Sequence, residues 1–461
     1  MRLRPFRRFR LPHPATAALT ALALTFAAPA PAQDRALPAR LDGIAVLPAG
    51  SALKPPADAP PLLLSTGKFA SDDGRRVEAL GAIPVHGMPG LPVLGQPLQG
   101  ISGLRHGPQG SYWAITDNGL GARTNSVDAM PAIHRLRPDW SDGAVRHLET
   151  IWLSDPDRLM PWPITLEGTD RRYLTGADID PESLVAAGDG FWVGEEFGPW
   201  LLRFDTKGRL IGLWEAVVDG RPVRSPDHPS MRLPAKPDGK ISFDIARSRG
   251  FEGMTASADG RYLYALLEGP VWREGKPETF ADGKPRLRWL EFDVAADSGS
   301  GGWTGRSWTY TLERDGNAIG EVTWLDQDRA LVLERDEGEG DAARACPDAN
   351  TPRPDCYPRP ARFKRLYMVT RAGVKDGGAL RKLGHVDLLA IQDPEVHSGS
   401  VGGEGRFNFP FATIESVERV GDSQVLIAND NNFPYSAGRT PGTAEDTEFI
   451  LLSVPELLAL K

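Results

Sequence analysis

The sequence holds only two cysteines in 461 residues, too few for a disulfide-rich scaffold or a thiolate zinc site. Histidine is scarce too, eight in all, and no His-Glu-x-x-His pair occurs, which excludes the zinc-protease motif. No Gly-x-Ser-x-Gly elbow is present; Ser400, in Ser-Gly-Ser-Val-Gly, lacks the first glycine. Past the N-terminus no stretch is long and apolar enough to span a bilayer, and no cysteine follows the cleavage region described below to take a lipid. What is present is ordinary globular usage, 41% hydrophobic and 25% charged, which excludes disorder, collagen and coiled coil. Glycine (50) and proline (41) make about a fifth of the chain and point to many short elements joined by turns, hence an all-β architecture.

Arg2, Arg4, Arg7, Arg8 and Arg10 precede an apolar run from Ala15 to Ala28, and Ala30-Pro31-Ala32 offers a small-residue cleavage site. This pattern predicts a secretory signal peptide over residues 1–32 and a mature chain of 33–461, periplasmic or secreted. The leader carries five arginines and no acid, so the formal charge of −8 deepens to −13 once it is removed. Such an acidic chain is a poor nucleic-acid binder, and its surplus carboxylates suit cations. In an oxidising compartment Cys346 and Cys356, flanking a Pro-rich loop, are expected to pair and staple that loop.

Five segments share one grammar, starting at Ile101, Pro181, Phe251, Gly320 and Ile414. Each opens with a small or acidic pair and an aliphatic residue. A turn follows, then an apolar β-type run, then one or two acids or amides. The opening positions are Ser102, Glu182, Glu252, Glu321 and Glu415; the closing groups are Asp117-Asn118, Glu195-Glu196, Glu268, Glu334 and Asn429-Asp430. Asp189-Gly190 and Asp259-Gly260 are hairpin signals, and runs such as Tyr262–Leu267 have strand chemistry. The openings are spaced by 80, 70, 69 and 94 residues, a period that fits a four-stranded propeller blade with inserted loops. The reading is a single β-propeller of six blades, the last closed by both termini. Five or seven blades, or an array of β-sandwiches, are the alternatives. Trp192, Trp289 and Trp324 belong to the inter-blade core on this reading.

Radial blades bring equivalent positions together around the axis, so the recurring acids form a ring. Carboxylates held that close raise one another's pKa unless a cation relieves them, and oxygen-only donors suit Ca²⁺. The candidate metal ligands are Asp117, Glu182, Glu196, Glu252, Glu268, Glu321, Glu334, Glu415 and Asp430.

The segments DPESL, FEGM, TASADGRYLY, LVLERDEG and ATIESVERVGDSQVLIANDNNFP resemble the phytase-like family of exported bacterial proteins, from about Gly95 to Leu458. The resemblance implies a calcium-associated β-propeller with a phosphoesterase or esterase-like role. It also implies that the opening glutamates and the groups Asp117-Asn118, Glu196, Glu268, Glu334-Arg335 and Asp430-Asn431-Asn432 line its site. The Asp-Asp-Pro-type and Asn-Asn-Val-Asp-type motifs of β-propeller phytases are absent. The expected function is a calcium-dependent hydrolase of small-molecule esters, phosphoric before carboxylic, acting as a monomer without a membrane anchor. Catalytic candidates are Arg335, His106 and Glu196, with Arg335 preferred over Arg105 and Arg203 as a phosphate clamp. The alternative is a non-catalytic, calcium-stabilised propeller that binds a ligand or partner on its axial face.

Overall fold

The computed structural model describes residues 35–461 apart from 232, 233, 235, 237, 238, 297–300, 352 and 398–404. The signal-peptide reading of residues 1–32, and Ser400, lie outside the described residues.

Twenty strands fall into five four-stranded antiparallel groups; a parallel pair, Val46 with Ala144, joins the first and fifth groups into one sheet, and Ala36–Leu37 adds a short parallel strand to the edge of the fourth. After β1 (Arg40–Leu47), the first sheet holds β2 (Ile101–His106), β3 (Tyr112–Thr116), β4 (Ala132–Asp139) and β5 (Ala144–Trp152). The second holds β6 (Pro181–Ala187), β7 (Gly190–Glu195), β8 (Trp200–Asp205) and β9 (Leu210–Glu215). The third holds β10 (Phe251–Ala256), β11 (Tyr262–Pro270), β12 (Arg286–Asp293) and β13 (Gly302–Thr311). The fourth holds β14 (Ala318–Trp324), β15 (Arg329–Arg335), β16 (Lys364–Thr370) and β17 (Arg381–Asp387). The fifth holds β18 (Thr413–Val420), β19 (Gln424–Asp430) and β20 (Thr447–Ser453), and β1 pairs antiparallel with β20 to complete it. The first strand of each sheet touches the first strands of both neighbours, β18 meeting β2, so the inner strands close a ring in a propeller-like arrangement.

The sequence spacing predicts six blades; antiparallel strand pairing gives five four-stranded groups among the described residues. The difference lies between β1 and β2. Residues 48–100 contain nine prolines, which remove ladder donors. Beyond a short 3₁₀ turn at Pro61–Leu64, a two-residue ladder pairing Ser65–Thr66 with Val93–Leu94 and a single antiparallel bridge between Ile83 and Leu91, this stretch contributes the pairing of Ala52–Leu53 with Gln96–Pro97.

Five hydrophobic clusters fill the spaces between adjacent sheets. Because side chains alternate across a strand, one strand feeds two cores. Phe191 and Val193 of β7 pack toward the first sheet, whereas Trp192 between them packs toward the third. Strands buried on both faces therefore read as near-continuous apolar runs. Trp289, 1% exposed, sits in the core between the third and fourth sheets with Trp324 packed against it edge-to-face. Burial of such a side chain stabilises the ring by roughly 2–3 kcal/mol. Gly260 turns β10 into β11 at φ +70°, a conformation that suits glycine. Cys346 and Cys356 are disulfide-bonded. No helix among the described residues is long and apolar enough to cross a membrane.

Candidate functional site

The inner hairpin of each sheet has the same construction. The pairs Ile101↔Thr116, Pro181↔Glu195, Phe251↔Leu267, Ile319↔Glu334 and Ile414↔Asn429 are followed by a register shift. A bulge re-aims the side chain it carries. The shifted inner-strand residues are Ser102, Glu182, Glu252, Gly320 and Glu415. The residue after each outer member of the pair is Asp117, Glu196, Glu268, Arg335 and Asp430. Antiparallel pairing puts both sets at the same end of the ring. Four sheets thus offer a carboxylate at the second position, and the fourth sheet offers a guanidinium.

These groups line an axial well of about 190 Å³ with eight carboxylates and two arginines: the seven acids named above, Asp180, Arg335 and Arg249. Most are at least nine-tenths buried; Asp117 is half-buried. Arg335 Nη2 donates to Glu415 Oε1 at 3.0 Å and lies 3.9 Å from both Glu252 and Glu268. Arg249 pairs with Glu268 and reaches Glu337 at 3.5 Å. Asp180 accepts from the backbone N–H and side-chain amide of Asn118 at 3.1 and 2.9 Å. Gly250 N–H donates to Glu196 at 3.1 Å, and Asn432 N–H to Asp430 at 2.8 Å.

Burial, reinforced by mutual repulsion, disfavours ionisation here. Burial comes first and neighbouring carboxylates next in driving Asp117, Glu182, Glu196 and Glu252 well above the usual range. Burial lifts Glu415 to about 8, and Asp180 and Asp430 to about 6.

Of the sequence candidates, seven acids and Arg335 converge; Glu321, Glu334 and His106 do not. Gly320, not Glu321, occupies the position equivalent to Glu252. A Cβ there would lie 1.9 Å from the carbonyl oxygen of Ile414, so no side chain fits. The acid of the fourth sheet comes one residue later and points elsewhere. Glu321 accepts from Val322 N–H at 2.8 Å and Met254 N–H at 3.3 Å, and pairs with Arg105 at 3.1 Å. Glu334 is consumed by Tyr310 Oη, Glu313 N–H, Asn317 and Lys382 between the third and fourth sheets. His106 ends β2, five residues from Ile101 and so roughly 16 Å away at about 3.3 Å per residue. It is exposed there, 2.6 Å from the Arg419 carbonyl. Arg105 packs near that end of β2, bonded to Glu321, Glu418 and the Val322 carbonyl, while Arg203 pairs with Asp189 and covers Trp192. Neither can clamp a group in the well.

Sequence reasoning missed Asp180 and Arg249. Asp180 was signalled by its place in Asp-Pro-Glu, one residue before β6. Arg249 precedes β10 without a pattern of its own.

The donors fit a hard cation. Asp180, Glu182 and Glu196, and again Glu196, Glu252 and Glu268, place carboxylate oxygens within 4.8 Å of one another. Two oxygens on one calcium ion at about 2.4 Å each lie no farther apart than that. Glu252 Oε1 and Glu268 Oε1 are buried without a hydrogen-bond partner, the condition an ion would relieve.

The chain is 27% identical to an uncharacterized secreted protein of Arthroderma benhamiae over 307 residues, 51% of this chain and 56% of the relative. It thus spans about half the length of that curated relative. Among solved structures, it is similar to a luciferin-regenerating enzyme (11% identity, TM-score 0.32, covering 79% of this chain and 94% of that one). It is also similar to regucalcin, a calcium-binding protein of Agrobacterium tumefaciens (11% identity, TM-score 0.32, covering 78% and 92%). Likeness this distant says nothing of ligand or activity, and the ring of sheets stands on its own strand pairing. The phytase-like family, described by an esterase-like activity of phytase, matches residues 96–433, and the chain belongs to it.

Proposed function

We propose that the protein is an exported hydrolase of ester bonds, phosphate esters foremost, that works with a divalent cation, calcium by donor chemistry, in the axial well. The observation that carries this reading is the pair of orphaned carboxylate oxygens, Glu252 Oε1 and Glu268 Oε1, buried among oxygen-only donors. Asp180, Glu182, Glu196, Glu252 and Glu268 would hold the ion. When bound, it supplies a Lewis acid toward a phosphoryl oxygen and lowers the pKa of water. Arg335 faces these residues from the fourth sheet, and its planar fork suits two phosphoryl oxygens. Asp430, with a pKa near 6, suits proton transfer at neutral pH. Export to the periplasm or beyond is supported by the N-terminal pattern, the disulfide and the secreted relative.

A second reading is favoured by one observation: Arg335 is already tied to Glu415, so the well ties sheets together. Calcium would then only stabilise a non-catalytic propeller. The test is a panel of phosphomonoesters, phosphodiesters and carboxyl esters, with calcium or EDTA, on wild type and Glu252→Gln. The expected result is calcium-dependent phosphoester cleavage, abolished by EDTA and reduced about a hundredfold or more in Glu252→Gln. Chelator-insensitive cleavage overturns the metal reading. Calcium-dependent melting without any turnover selects the non-catalytic one.

A further inference from the structure

The well opens into a second cavity of about 710 Å³, which shares Arg249, Arg335 and Asn432 with it. At about 190 Å³ the well is below the usual 300–1,000 Å³ of a small-molecule site, and the vestibule falls within that range. An organic substrate with its reacting group in the well would leave the rest of its body in the vestibule. The two spaces differ in charge. The well has eight carboxylates against two guanidiniums; the vestibule has three guanidiniums against two carboxylates.

Internal pairing narrows this further. Arg335 is engaged by Glu415, and Arg249 by Glu268 and Glu337. Glu339 accepts from Ala437 N–H. Arg359 lines the vestibule from an exposed position, with no carboxylate within 4 Å among the described residues. Its backbone is fixed: the Arg359 carbonyl accepts from Glu339 N–H at 3.0 Å. Two residues earlier, the Tyr357 hydroxyl donates to the Gly438 carbonyl at 2.9 Å. Tyr357 also adjoins the disulfide, its carbonyl accepting from Cys346 N–H. The disulfide loop and the 432–438 segment therefore form two tied walls, and Arg359 is carried on one of them.

We infer that Arg359 is a specificity residue: the vestibule takes the alcohol portion of a substrate that carries a second anionic group, and Arg359 binds that group. This rests on the hydrolase reading and names its substrate class. A rigid backbone holding an unpaired guanidinium favours an anion, because charge-assisted bonds to arginine are the strong, bidentate ones.

The test compares propyl phosphate with 1,3-propanediol bisphosphate, in calcium, on wild type, Arg359→Gln and Arg359→Lys. Wild type is expected to show a KM for the bisphosphate about tenfold below that for the monophosphate. In Arg359→Gln that ratio falls to about one, with the ratio of kcat values unaltered, and Arg359→Lys restores part of it. An unaltered KM ratio in Arg359→Gln, or an effect on kcat alone, overturns the inference. Calorimetric binding of the bisphosphate separates the two readings. If wild type turns over nothing but Arg359→Gln still weakens binding about tenfold, the subsite stands and the hydrolase reading falls. If both proteins bind it equally, or neither binds it, the subsite falls.

Discussion

The crowded well makes stability depend on pH in a way a cation should cancel. In the chelated protein Glu415 keeps its proton to about pH 8, whereas an unfolded glutamate loses it near 4.5. Between those values the folded state binds the extra proton, so stability falls as pH rises. One such carboxyl sets a slope of about 1.4 kcal/mol per pH unit. Glu182, Glu196 and Glu252, raised for the same reasons, steepen it in the same direction. Buried histidines act oppositely below this window: burial lowers His134 to about 3 and His228 to about 4. Unfolding lets them take up protons below pH 6.5, so stability drops as the medium is acidified. Lys364, lowered to about 8, adds stability only above that pH. The clean interval is therefore pH 6.5–8. Urea denaturation in EDTA at pH 6.5, 7.0, 7.5 and 8.0 is expected to show stability falling by at least about 1.4 kcal/mol per unit. Saturating calcium should flatten or reverse the slope, since the ion binds ionised carboxylates and so competes with protons. A chelated protein whose stability is flat or rises across that interval would refute the electrostatic account of the well.

Two further outcomes follow from the same geometry. Arg335→Gln removes the hydrogen bond to Glu415 and the nearest guanidinium to Glu252, leaving Glu268 to Arg249 alone, and should destabilise the metal-free protein at pH 7.5 by about 1–3 kcal/mol. Added calcium should then raise its melting temperature more than that of wild type; a smaller rise would contradict the guanidinium's role as a built-in counter-charge. Glu321→Gln should cost about 1–3 kcal/mol through its bonds to Arg105 and two backbone amides. The calcium concentration giving half-maximal stabilisation should stay at the wild-type value, and a shift in it would return Glu321 to the metal site.

Much of the site was legible because repetition is written in the sequence. All five copies carry an acid at the end of the second strand, four of which reach the well, and Glu182, Glu252 and Glu415 sit at matching strand starts. Arg335 was visible as the residue after a closing acid, although its counter-charge role was not. Glu334 misled for a local reason. It faces the space between sheets, where Tyr310 and Lys382 use its oxygens, and a strand end in sequence does not say which of two adjacent residues turns inward. Six blades rest on the 69 mature-chain residues before Ser102 and the 47 from Glu415 onward completing a blade between them, whereas the nine prolines of residues 48–100 leave little there to pair.

The sequence alone determined the acidic balance, the all-β character, the cysteine pair and the recurrence of a carboxylate-bearing hairpin, because composition and local pattern dictate these. Only the tertiary structure decided the register. In the fourth repeat the acid stands one residue late, at Glu321, yet 69 residues after Glu252 it keeps the period and reads as equivalent. A strand has a side-chain period of two, so that one-residue slip turns the carboxylate from the well toward Arg105. The packing of β18 against Gly320 makes the slip obligatory.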